Sequence, residues 1–124
     1  MLDANCFKVT SPNDTSCSLG EDNPYALKYI QHTEVFPKIG KIFVFDKLEM
    51  ARDFAGTHNS LKIWKAFGSN LVKTDGISVY FGGRHIEIFW GYSNISRYKY
   101  FDRPPKGSLW CDSLILIEEV DKCL

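Results

Sequence analysis

The sequence predicts one small α+β domain covering residues 1–124, mainly an antiparallel or mixed sheet with one or two helices. Three observations lead there. Short apolar runs rich in β-branched and aromatic residues recur at 6–10, 41–45, 61–67, 77–90 and 114–120. A single segment, 46–56, carries a clear helical period. The length of 124 residues and the hydrophobic content of 44% suit one core.

Taken in order, 6–10 (CFKVT) reads as a first strand and 11–24, crowded with Ser, Asn, Asp, Gly and Pro, as a surface loop. Residues 25–36 are β-prone in part and are expected to form one strand or two short ones. Pro37 and Gly40 then punctuate the approach to KIFVF at 41–45, a nearly continuous apolar run that implies cover on both faces. Asp46 is placed to cap a helix, with Glu49 completing a capping box. Leu48, Ala51 and Ala55 form its apolar stripe with Phe54 beside them, and Lys47, Glu49, Arg52 and Asp53 lie outside it. Gly56 is placed to end it in a left-handed conformation.

In 61–67, Leu61, Ile63 and Phe67 share one strand face and Lys62 and Ala66 the other, with Trp64 and Lys65 breaking strict alternation. Gly82-Gly83 divides two alternating runs and suits a tight hairpin turn. That register sets Val79 against Ile86 and Ile77 against Ile88, with Tyr80–His85 and Ser78–Glu87 on the opposite face. Residues 98–101 add a further strand, and Arg103-Pro104-Pro105-Lys106-Gly107 a rigid exposed connection. The apolar run 114–120 closes the chain as a central or well-covered strand. No internal repeat or long linker interrupts it.

The formal net charge is +0, so no global field argues for DNA or an anionic membrane. No basic stretch followed by an apolar run opens the chain, and no apolar stretch approaches the roughly 20 residues that span a bilayer. The expectation is therefore a cytoplasmic protein with no membrane partner. Cys6, Cys17, Cys111 and Cys123 form no CxxC pair and are expected as free thiols. His32, His58 and His85 lie near none of them in sequence, so no metal and no cofactor are expected.

Glu118-Glu119, adjacent in a strand, point to opposite faces and cannot act on one substrate together. Gly82-Gly83-Arg84 is followed by a strand-like run rather than a helix, unlike a phosphate loop. No catalytic residue is assigned. The alternative is a nucleotide-acting enzyme in which His85 and Glu87 share a face with Tyr80, a general base beside an orienting carboxylate. The candidate binding residues are Arg84, Arg97, Tyr98, Lys99, Tyr100 and Arg103. They belong to a segment, 84–106, that also holds Lys106 and interleaves cations with Trp90, Tyr92 and Phe101. Cations beside stackable rings suit a nucleotide, an acidic protein surface or a single strand. Tyr98 and Tyr100 fall on one side of a local strand and Lys99 on the other, so all face one ligand only if the segment is irregular.

Two stretches, KIGKIFVFDKLEMARDFA at 38–55 and PKGSLWCDSLILIEEV at 105–120, resemble a loose group of short bacteriophage and viral accessory proteins. In that group a glycine-preceded strand runs into a helix closing on A..FA, and P.G....D...L.EEV ends the chain. The match covers about a quarter of the residues. It implies a viral accessory protein acting in the host cytoplasm and implies no reaction. The strand before A..FA also looks like one piece of the ADP-ribosyltransferase fold. The Ser-Thr-Ser strand and Glu-x-Glu loop of that fold are absent here, so at most a distant fold similarity is implied.

The functional expectation is a small non-enzymatic binding module, acting on a host protein or an anionic small molecule such as a nucleotide signal. Nucleic acid is a less favoured partner. The alternatives are the His85/Glu87 enzyme and an oligomeric structural or assembly protein that pairs exposed aromatic edges.

Overall fold

A computed structural model describes residues 3–17, 23–56, 60–74, 77–78, 87, 90, 101–102 and 107–120. Among the described residues one complete helix, α1 (Leu48–Ala55), accompanies seven strands of one antiparallel sheet: β1 (Cys6–Thr10), β2 (Glu34–Val35), β3 (Ile42–Phe45), β4 (Lys62–Ser69), β5 (Val72–Lys73), β8 (Ser108–Cys111) and β9 (Ser113–Glu119). Their order is β2-β9-β4-β1-β3-β8-β5. A separate antiparallel pair joins β6 (Ile77–Ser78) to β7 (Phe101–Asp102). The architecture is more β-rich than one or two helices against a sheet suggests.

The order of strands forces the sheet to roll. β8 pairs with β3, β9 pairs with β4, and β1 lies between β3 and β4. In a flat sheet β8 and β9 would sit four strand spacings apart, roughly 19 Å at about 4.8 Å each. Only Asp112 separates them in sequence, and one residue reaches about 3.5 Å. The sheet therefore curls until its flanks meet. Asp112 N–H donates to Ser69 O at 2.9 Å, tying the β8–β9 corner to the end of β4. Gly68 permits this approach, since a Cβ there would lie 3.1 Å from both Cβ and Sγ of Cys111. Lys41 and Asn70 both donate to the Asp112 carboxylate and clamp the corner.

Rolling gives the sheet an inner and an outer face. Register places Cys6, Lys8 and Thr10 inward with Trp64, Ala66 and Val44. The inner core is completed by Ile42, Cys111, Leu114 and Leu116, with Leu27 and Tyr29 laid over it. The segment carrying those two is strung from the loop after β1, through Tyr29 N–H to Asp14 O, across to β9, through His32 N–H to Leu116 O. On the outer face Val9, Phe45 and Ile63 pack against Ala51 and Ala55 of α1.

Several expectations need correction. Residues 25–36 yield only β2 and an isolated bridge at Lys28, because backbone groups there bond to the loop after β1 and to β9. Asp46 does not cap α1. Its N–H donates to Gly107 O at 2.8 Å, which extends the β3–β8 pairing, and Lys47 becomes the N-cap with no side-chain hydrogen bond. Gly56 takes the expected positive φ of 58°, but ψ of −136° carries it out of the left-handed helical region. Trp64 and Lys65 do not break the alternation of β4: Trp64 faces inward opposite Lys8 and Lys65 faces outward opposite Phe7. The hairpin at Gly82-Gly83 is overturned at its base. Ile77 and Ser78 pair with Asp102 and Phe101, while Glu87 is helical. The turn itself lies outside the described residues.

Candidate functional site

Arg84, Arg97, Tyr98, Lys99, Tyr100 and Arg103, like Tyr80 and His85, lie outside the described residues. Glu87 and Trp90 of the same basic-aromatic segment are described, both helical.

Trp90 lands on the outer face of β3 and β8. Its ring centroid lies 5.7 Å from Phe43 and 5.2 Å from Trp110, and Phe43 and Trp110 are 5.8 Å apart. Phe43 and Trp110 are cross-strand partners, so both side chains emerge on the same face, and Val72 of β5 stands opposite Trp110. The three rings are tilted at 36–52° to one another. Such offset pairs are favoured by the ring quadrupoles. Gly40 makes the close approach possible: a Cβ there would lie 2.0 Å from Trp90 Cδ2, and its φ is +61°.

All three rings are half-buried, and Val72 is 50% exposed. α1 packs against β1, β3 and β4, and its Met50 lies against Gly107 just before β8, where a Cβ would come within 2.7 Å of Met50 Cγ. Exposed lysines border the cluster in sequence: Lys38 and Lys41 on either side of Gly40, and Lys73 beside Val72. Asp112 at the β8–β9 corner is bound by Lys41 and Asn70, which hold its carboxyl below the ordinary range. The flank thus offers aromatic surface; Lys41 is paired with Asp112, and Lys73, opposite Leu109, alternates to the other face of β5 from Val72.

The described nucleophiles sit elsewhere. Cys6 and Cys111 are buried on the inner face, with thiols bonded to Ala66 O and Ile42 O at 3.6 and 3.7 Å. Burial pushes them up to about 12 and about 11, so both stay protonated and poorly nucleophilic at neutral pH. Glu87 is exposed and accepts a hydrogen bond from Tyr25, an interaction that raises the Tyr25 hydroxyl. Among the described residues no group of three His, Cys, Asp or Glu side chains could hold a metal ion. No described helix is long and apolar enough to cross a membrane.

Phe43 and Trp110 escaped the sequence reading. Phe43 lay inside a run taken as covered on both faces, and Trp110 followed a segment read as a connection. Strand register, which no local pattern supplies, brings them together with Trp90. No family model matches this chain, and neither a curated protein nor a solved structure matches it significantly.

Proposed function

We propose that the protein is a non-enzymatic binding module whose ligand is a planar anion of the nucleotide class, held on the β8–β5 flank. The observation that carries this reading is the half-exposed Phe43–Trp90–Trp110 cluster on the outer face of β3 and β8. A base stacked on such rings gains roughly 1–3 kcal/mol by alanine substitution, and exposed Lys38, near Gly40 in sequence, suits its phosphates. Arg84, Arg97, Lys99 and Arg103 stand near Trp90 in sequence and are the further cations that this reading assigns to the phosphates. The resemblance to phage-encoded accessory proteins is in keeping with such a module acting in a host cytoplasm on a nucleotide signal.

The test is tryptophan fluorescence titrated with a panel of nucleoside mono- and triphosphates, for the wild type and Trp110→Ala. Saturable quenching that the variant loses supports the reading. Equal response in both chains, or turnover of the nucleotide, defeats it. A response to an acidic protein and to no nucleotide would replace the ligand with a protein partner.

A second reading, self-association, is favoured by the exposure of Phe36 (62%) and Val72 (50%) beside the two outermost strands. Against it, β2 and β5 are two residues each, and short edges blunt strand pairing. Light scattering at high concentration decides this: a monomer ends the reading.

A further inference from the structure

The inner face holds a charged side chain that nothing so far explains. Alternation along β1 sends Lys8 inward between Cys6 and Thr10, where it is 9% exposed. Its ammonium donates one hydrogen bond, to Phe43 O at 2.8 Å, and stands 5.7 Å from the centroid of the Tyr29 ring. An ammonium has three N–H donors. The ion pairs among the described residues engage Lys41, Lys62 and Lys65, and none engages Lys8. The Tyr29 hydroxyl, in a side chain 2% exposed, has no hydrogen-bond partner. Lys8 and Ser16 lie close enough to draw its pKa down against the larger effect of burial, yet neither completes a bond of normal geometry.

Among the described residues no carboxylate pairs with Lys8. Cys6 and Cys111, the titratable groups packed around Lys8, are protonated thiols at neutral pH. Asp14, at the end of the loop that carries Ser16, is bound to Lys62 at 3.0 Å. A buried ammonium with no anion beside it carries a large desolvation penalty. Water would satisfy the spare N–H and O–H groups but leave the charge. A small anion satisfies both.

We propose that the inner face of the rolled sheet binds a small monoanion, a halide or a carboxylate no larger than acetate, which excludes bulky gluconate, between the Lys8 ammonium and the Tyr29 hydroxyl. One cation sets the charge of the ligand. A dianionic phosphate would leave an uncompensated negative charge inside and is rejected by the site. The proposal rests on the inner face alone and is independent of the aromatic flank.

The experiment is thermal unfolding of the full chain at fixed ionic strength, with sodium gluconate exchanged for chloride, acetate or phosphate. Tm of the wild type rises with chloride or acetate and saturates, and phosphate adds nothing beyond gluconate. Lys8→Met, which keeps most of the stem and removes the charge, loses the dependence. Tyr29→Phe weakens the apparent affinity about tenfold, as expected for one lost hydrogen bond in a buried site. Should Lys8→Met fail to fold, chloride-35 line broadening on the wild type and Tyr29→Phe reads the same affinity difference. A wild-type Tm indifferent to the anion overturns the proposal, as does equal anion dependence in wild type and Lys8→Met.

Discussion

Replacing Gly40 by Ala isolates the contact on which the aromatic cluster depends. The added Cβ would sit 2.0–2.5 Å from three ring atoms of Trp90, inside any tolerable contact, so the indole must leave its position. Two ring pairs go with it, Trp90–Phe43 and Trp90–Trp110. Each is worth about 0.5–1.5 kcal/mol beyond the area it buries. Ala at φ +61° adds about 1–2 kcal/mol of left-handed strain. The expected loss is therefore about 2–5 kcal/mol. Urea unfolding measures it, and near-UV circular dichroism reports the ring cluster separately. A Gly40→Ala chain that unfolds within about 0.5 kcal/mol of wild type, with an unchanged near-UV spectrum, refutes the packing of Trp90 on β3 and β8.

Leu116→Ala, at a residue 1% exposed in the inner core, should lower unfolding free energy by about 2–5 kcal/mol in urea, the range for a buried leucine whose cavity stays open. The Asp112 clamp should show in acid: its folded carboxyl lies below the ordinary 3.8, so the stabilisation is fully present above that pH and is lost as pH falls through the folded value. The Tm gap between wild type and Asp112→Asn should accordingly close with acidification, and a gap that persists to the lowest pH at which the fold survives would contradict the assignment. Cys6 and Cys111, raised to about 12 and about 11, should resist iodoacetamide in the native protein near pH 8 and react fully in urea, as read by peptide mass spectrometry.

The local elements were largely legible. β1 is the predicted first strand, and β3, α1, β4 and β9 fall within a residue or two of their expected places, because hydrophobic period carries that information. The apolar run of β9 correctly implied an internal strand, since β9 lies between β2 and β4. What failed was whatever depends on distant partners. Asp46 lost its capping role to a backbone bond with Gly107, 61 residues away by numbering. Residues 25–36 look like a strand but spend their backbone bonds on two different elements. The base of the Gly82-Gly83 hairpin gave way to pairing with Phe101 and Asp102. β8 was hidden in four residues, SLWC, too short for alternation to show. For the site, composition marked the basic-aromatic segment, but the packing of its Trp90 on Phe43 and Trp110 exists only once β3 and β8 pair.

The three tryptophans provide the most direct test of the proposed binding surface. Trp90 and Trp110 belong to the flank, whereas the Trp64 indole is buried on the inner face and donates to Thr10 Oγ1 at 3.1 Å. Nitrogen-15 labelling of the indole N–H groups, followed during titration with adenosine monophosphate, reads all three in one spectrum. The account predicts saturable shifts of the Trp90 and Trp110 signals with Trp64 unmoved. Flank signals that stay fixed across the panel of nucleotides, or a Trp64 signal that moves as far as the other two, would contradict it.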